Sequence, residues 1–131
     1  MVAGCLDSDV DAATRLDLVD PFIIYSSTKR ALARWIRRQA PTANWAGQDI
    51  ALNAVAPGII RTPMTAGMLA NETVRERLAT AVPMPYGGIA EPVVVAQALA
   101  FLSSPLAQSI TGQTLFVDGG GDCVVRGDDV F

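Results

Sequence analysis

Tyr25-Ser26-Ser27-Thr28-Lys29, continuing Arg30-Ala31-Leu32-Ala33-Arg34-Trp35-Ile36-Arg37-Arg38, is the stretch on which the reading of this chain turns. Its spacing predicts an amphipathic helix over about Ser26 to Ala40, stopped at Pro41, which has no N–H to continue the ladder. In a helix, residues four apart share a face, so the Tyr25 phenol and the Lys29 ammonium lie about one turn apart. A phenol titrates near ~10, and a neighbouring ammonium favours its ionised form. Such a tyrosine becomes a usable general acid or base. The pair suits a reaction in which an alcohol loses a proton as hydride leaves its carbon, or a carbonyl gains one as hydride arrives, the hydride being carried by a cofactor. The same spacing also suits an amphipathic helix with no chemistry.

Arg30, Arg34 and Arg37 form a basic stripe opposite Tyr25, Lys29, Leu32 and Ile36, which reads as the solvated face. The chain as a whole carries a net charge of -3 with a pI near 4.7, which argues against a nucleic-acid surface. At 131 residues, half of them hydrophobic and 18% charged, the length is that of one globular domain. There is no histidine, which removes the usual serine and cysteine hydrolases, His-ligated zinc and histidine general bases, and gives tyrosine and lysine more weight. Cys5 and Cys123 have no metal-ligand spacing and read as a reduced pair, with no metal expected. Met1 to Ser8 lacks the basic start and apolar run of a secretory leader, and no apolar stretch is long enough to span a bilayer. A cytoplasmic protein without membrane or nucleic-acid partners is expected.

Around the helix, Met1 to Asp20 is rich in aspartate (Asp7, Asp9, Asp11, Asp17, Asp20) and reads as a surface segment or insertion ending at Pro21. Ile50 to Ala56 is apolar on nearly both sides, the pattern of a strand buried in a parallel sheet, and Pro57-Gly58 ends it. Thr62-Pro63 starts one or two short helices from Met64 to Ala81, with Asn71 as an N-cap before Glu72. Pro83, Pro85, Gly87 and Gly88 make a loop. Glu91-Pro92 opens another helix through Leu102, apolar almost all round and so expected to pack on more than one side. Thr111-Gly112 is a turn, Thr114 to Val117 a second strand, and Asp118-Gly119-Gly120-Gly121 its end. Helix, strand, helix, strand is the order of an α/β fold with a parallel sheet.

Taken in order, these landmarks resemble the short-chain dehydrogenase/reductase family. The matching pieces are Tyr25-x-x-x-Lys29 followed by Ala31-Leu32, then Asn53-Ala54-Val55-Ala56-Pro57-Gly58, then Thr62-Pro63, then Thr111-Gly112-Gln113 through Phe116-Val117-Asp118-Gly119-Gly120. They cover roughly residues 22–121, with 122–131 as a C-terminal tail. The closing Asp118-Gly119-Gly120-Gly121-Asp122, with Arg126 and Phe131, looks like that of the bacterial 3α-hydroxysteroid dehydrogenase/carbonyl reductases. The resemblance implies an NAD- or NADP-dependent oxidoreductase in which Tyr25 exchanges the proton. Lys29 would assist Tyr25 and bond the nicotinamide ribose. The loop after Pro57-Gly58 would embrace the nicotinamide, with backbone groups near Ile60 meeting the carboxamide and the Thr62 hydroxyl close to the carboxamide or pyrophosphate. Met64, Met68 and Leu69 would line a mobile lid over a small alcohol or ketone, such as a steroid, and the chain would form homo-oligomers.

The family's glycine-rich phosphate turn and first βαβ unit belong before this helix. No such turn precedes Tyr25 here, so the expected fold is the C-terminal part of a Rossmann-like doubly wound parallel sheet, a single partial domain with the N-terminal βαβ half absent. The family's catalytic serine has no clear counterpart, Thr14 being slightly too close to Tyr25 and Ser8 too far. Two consequences are expected: the Ile50–Ala56 strand keeps an unpaired apolar edge, and the chain alone binds cofactor poorly. The alternative reading is a non-catalytic remnant that retains only association surfaces.

Overall fold

The computed structural model describes residues 20–129. They cluster in two compact units. One comprises the residues up to Ala54 together with Ser109–Thr114, and the other Val55–Gln108 together with the residues from Leu115 on. The aspartate-rich segment before Asp20, with Cys5, Ser8 and Thr14, lies outside the described residues.

In the first unit, helix α1 runs from Pro21 to Gln39. It begins a turn earlier than the Ser26 start expected, because Pro21 has the backbone angle a first helical residue needs and the Asp20 carbonyl accepts from Ile23 N–H (2.9 Å) and Ile24 N–H (3.2 Å). The Ser-Ser-Thr run does not break the helix, since Ser26 Oγ donates to the Ile23 carbonyl (3.1 Å) and Thr28 Oγ1 to that of Tyr25 (2.8 Å). As expected, the helix stops short of Pro41, and Arg30, Arg34 and Arg37 are exposed. Ala31, Ile36 and Ala40 are buried and make the core of this unit. Trp35 meets Trp45 edge to face, ring centroids 6.4 Å apart, folding the 3₁₀ turn at Ala46–Gln48 back on the helix. At Gly112, with φ of +72°, an added Cβ would stand 3.3 Å from Ala40 Cβ, so the turn passes close over the helix end.

Strand β1 spans Ala54–Pro57 and β2 spans Thr114–Val117, the latter with the bounds expected. They form a two-stranded sheet. Ala54 N–H donates to the Gln113 carbonyl (2.9 Å) and Gly58 N–H to that of Val117 (3.1 Å), so both strands advance together and the pairing is parallel. The connection between them carries the intervening helices, as a parallel crossover requires. Among the described residues β1 has β2 as its one strand neighbour, which leaves its other edge unpaired, as expected. The strand is shorter than the Ile50–Ala56 expected because side chains interrupt the ladder before Ala54, where Gly112 N–H still donates to the Leu52 carbonyl (2.8 Å). Asn53 Nδ2 donates to the Ile110 carbonyl (2.8 Å), Asn53 Oδ1 accepts from Gln113 N–H (3.0 Å), and Thr111 Oγ1 accepts from Leu52 N–H (3.1 Å).

In the second unit, α2 is Pro63–Ala70 and α3 is Glu72–Ala81. The break between them is where Asn71 caps α3, its side chain accepting from Val74 N–H at 3.1 Å. Helix α4 is Pro92–Leu102. The expectation that it packs on several sides does not hold. Val93 is 57% exposed and Leu99 51%, and the element packed most closely on it is the 3₁₀ turn at Pro105–Ala107. A two-stranded sheet has too little surface to cover a helix that is apolar all round. The tail also carries structure, a short helix α5 at Gly121–Arg126. Arg126 pairs with Asp122, and that hydrogen bond holds its guanidinium above the ordinary arginine range; the Phe116 ring lies 5.0 Å below it. Among the described residues no helix is long and apolar enough to cross a membrane.

Candidate active site

On α1, Tyr25 and Lys29 meet as their spacing requires. Lys29 Nζ lies over the Tyr25 ring, 5.3 Å from its centroid. Both side chains are exposed, Tyr25 to 62%. The arrangement places a positive charge beside a phenol whose hydroxyl has no hydrogen-bond partner among the described residues. The positions considered for a catalytic serine, Ser8 and Thr14, fall outside the described residues.

The remaining predicted residues belong to the second unit. Pro57 ends β1, and the backbone of residues 58–62 then forms a loop whose N–H groups are almost all engaged. Gly58 N–H donates to the Val117 carbonyl (3.1 Å), Ile59 N–H to Met84 Sδ (3.2 Å), Arg61 N–H to the Ala90 carbonyl (2.9 Å) and Thr62 N–H to Thr65 Oγ1 (2.9 Å). Ile60 N–H has no partner among the described residues. Its carbonyl accepts from Thr65 Oγ1 at 2.7 Å, and a parallel bridge to Ala90 holds the residue in place. Arg61 and Glu91 close the same crossing with a 2.9 Å ion pair, both more than half exposed.

Thr62 has a structural duty that its motif position did not disclose. Its hydroxyl caps α2, accepting from Thr65 N–H (3.4 Å), while the Thr65 hydroxyl lies 3.2 Å away. Of the expected lid residues, Met64 is 87% and Met68 41% exposed, whereas Leu69 is buried. Leu69 lines a small apolar cavity of about 120 Å³ together with Ile59, Leu78, Val82, Met84 and Ile89. Met84 was missed by the sequence reading. It sits in an undistinguished Pro-Met-Pro loop, and no spacing marks a methionine whose sulfur accepts a backbone N–H.

In the second unit, the Ile60 N–H, unpartnered among the described residues, is a donor of the kind a carbonyl oxygen accepts; in the first, the exposed Lys29 ammonium is a donor of the kind hydroxyls accept. A pyrophosphate needs several free N–H groups at a helix start. The glycine turn Gly119-Gly120-Gly121 ahead of α5 cannot offer them. The Asp118 carboxylate already accepts from Gly120 N–H (3.0 Å) and Asp122 N–H (2.7 Å), and the Asp118 carbonyl accepts from Gly121 N–H (3.2 Å).

Parallel strands joined by a connection that carries helices define an α/β protein of Rossmann type. Residues 11–122 match the family model described as enoyl-(acyl carrier protein) reductase, and the chain belongs to the short-chain dehydrogenase/reductase family. It is similar to the 3-alpha-hydroxysteroid dehydrogenase/carbonyl reductase of Comamonas testosteroni, 38% identical over 104 residues that cover 79% of this chain and 39% of that protein. A tropinone reductase homologue of Arabidopsis thaliana is 41% identical over 97 residues, covering 74% of this chain and 30% of the relative. Among solved structures, the 3-alpha-hydroxysteroid dehydrogenase of Pseudomonas sp. B-0831, complexed with NADH, superposes with a TM-score of 0.82 at 36% identity, covering 98% of this chain and 50% of that one. The chain thus spans half or less of the length of these relatives.

Proposed function

We propose that this chain supplies the proton-transfer and nicotinamide-binding residues of an NAD- or NADP-dependent oxidoreductase that interconverts a secondary alcohol and a ketone. The observation that carries the reading is the Lys29 ammonium 5.3 Å from the Tyr25 ring on one face of α1. In reduction, the Tyr25 hydroxyl donates its proton to the carbonyl oxygen; in oxidation, the Tyr25 phenolate takes the proton of the alcohol. Lys29 stabilises that phenolate by charge and donates to the nicotinamide ribose hydroxyls. The bound nicotinamide carries the hydride. Ile60 N–H donates to the carboxamide oxygen, and Pro57 and Gly58 bring the loop into position for it. The Thr62 hydroxyl, while capping α2, retains capacity for the carboxamide or pyrophosphate.

Met64, Met68 and Leu69 give the substrate side an apolar, adaptable lining, which suits a steroid or another apolar carbonyl compound. The names of the Comamonas and Pseudomonas relatives support that class of substrate. Self-association belongs to the same proposal, because α1 and α4 present exposed Leu32, Val93 and Leu99. A second, non-catalytic reading is favoured by one observation, the engagement of the Gly119–Gly121 turn by Asp118, which keeps that turn from serving as a phosphate cradle.

Titration of the full chain with NADH, following energy transfer from Trp35 and Trp45, separates the two readings. Saturable binding supports the oxidoreductase. A folded chain that binds no NADH supports the non-catalytic reading.

A further inference from the structure

The loop after β1 is held by an unusual acceptor. Of the five N–H groups from Gly58 to Thr62, three donate to oxygen, that of Ile60 has no partner among the described residues, and that of Ile59 donates to the Met84 thioether at 3.2 Å. A sulfur accepts weakly, so its use here needs a reason. Geometry supplies one. The Met84 side chain fills the space where Gly58 has none, and an added Cβ there would lie 2.9 Å from both Sδ and Cε. A flexible thioether fits such a gap and still reaches an N–H.

Met84 is itself held from behind. Tyr86 N–H donates to the Gly119 carbonyl at 2.9 Å, and an added Cβ on Gly119 would lie 3.3 Å from Met84 Cβ. A Cβ on Gly121 would lie 2.5 Å from the Pro83 carbonyl oxygen, and one on Gly120 3.5 Å from Pro85. Segment Pro83–Tyr86 therefore lies as a strap on the glycine turn, and its one inward side chain with an acceptor is that of Met84.

We propose that Met84 is a positioning residue: its sulfur, backed by the Gly119–Gly121 turn, fixes the Gly58–Ile60 loop so that Ile60 N–H is the one donor presented to a ligand carbonyl. This rests on the reading of Ile60 as the partner of a nicotinamide carboxamide. Without the bond, the half-buried Ile59 N–H faces an apolar group and the loop turns to satisfy it, carrying Ile60 N–H out of register.

The test uses the full chain labelled with nitrogen-15, as wild type, Met84→Leu and Met84→Gln, with nicotinamide mononucleotide as probe. Leucine keeps the bulk and removes the acceptor; glutamine returns an acceptor of similar reach. Met84→Leu should raise amide hydrogen exchange at Ile59 about tenfold and weaken nicotinamide mononucleotide binding, read from the Ile60 amide shift, by about three- to tenfold. Met84→Gln should stay within about twofold of wild type in both, the scale of a retained hydrogen bond. Identical behaviour of Met84→Leu and wild type overturns the proposal, and so does a glutamine variant as impaired as the leucine one, since shape alone would then explain the effect. Should Met84→Leu not fold, recovery of both readouts by Met84→Gln upholds the acceptor role and failure to recover them overturns it. The expected Ile59 pattern with an Ile60 amide that the mononucleotide does not move upholds the positioning role and overturns the reading of this loop as a nicotinamide site.

Discussion

Lys29 Nζ stands over the face of the Tyr25 ring, 5.3 Å from its centroid, and not at the phenolic oxygen. The ammonium therefore keeps its ring contact whether or not the hydroxyl is present. Tyr25→Phe removes the oxygen alone, so turnover of a ketone with NADH should fall by at least about 10²-fold, the usual size of a general acid's contribution. Stability should change by less than about 0.5 kcal/mol, because the site is exposed. Undiminished turnover by a folded variant, with thermal melting as the check on folding, would remove Tyr25 from the mechanism.

Lys29 has two duties in the proposed reaction, charge beside the phenolate and hydrogen bonds to the ribose, and they separate by substitution. Lys29→Met removes both and should lower kcat and raise the KM for NADH together. Lys29→Arg keeps the charge but presents a planar fork, so it should recover part of kcat and little of the KM. Steady-state kinetics with NADH as the varied substrate decides the matter. Equal recovery of both parameters by arginine would show that charge is the whole contribution.

The residues that were legible in advance are those whose local chemistry fixes their conformation. Pro41 stops α1, Asn71 caps α3 and Pro92 opens α4, each through its own backbone or side chain, so the sequence announces them, whereas α1 starts at Pro21 and not at the Ser26 expected. The Tyr25–Lys29 pair was legible for the same reason, since one helix holds both. What stayed hidden depends on residues far apart in the chain. Asn53 looks like the middle of a strand until Ile110 and Gln113 arrive to meet its amide. Met84 looks like loop filler until Ile59 turns its N–H toward the sulfur. Thr62 was assigned by motif to a ligand, and its capping partner Thr65 is a threonine where the usual capping box has a glutamate or glutamine. The apolar girth of α4 was legible, but not what would cover it, because amphipathicity describes a helix and not its neighbours.

Asn53 carries the start of the sheet. Its amide donates to the Ile110 carbonyl at 2.8 Å and accepts from Gln113 N–H at 3.0 Å, so one side chain satisfies two backbone groups on the segment leading into β2. Asn53→Ala should destabilise the chain by about 2 kcal/mol, one for each lost bond. Asn53→Asp keeps the acceptor for Gln113 but sets a carboxylate against the Ile110 carbonyl, and should be no better. Urea unfolding with an unchanged denaturant slope gives the comparison, and a loss under about 0.5 kcal/mol for alanine, the range of an ordinary surface change, would show that water replaces the side chain.

Two glycines of the second unit should respond to alanine in opposite directions, because one is constrained and the other is not. Gly119 has φ of +61°, and a Cβ there would run into the Tyr86 carbonyl oxygen and stand 3.3 Å from Met84 Cβ. Neither neighbour can retreat: Tyr86 N–H is bonded to the Gly119 carbonyl, and Met84 fills the space beside Gly58. Gly119→Ala combines a left-handed backbone with a collision and should cost about 2–4 kcal/mol. Gly67 lies inside α2, with ordinary helical angles and nothing within 4 Å of an added Cβ. Gly67→Ala should stabilise by about 0.5–1 kcal/mol through the lower entropy of the unfolded chain. Thermal melting of the two variants beside wild type should therefore bracket it. A neutral Gly119→Ala would mean that the strap moves freely over the glycine turn, and with it the rigid backing on which the role of Met84 depends.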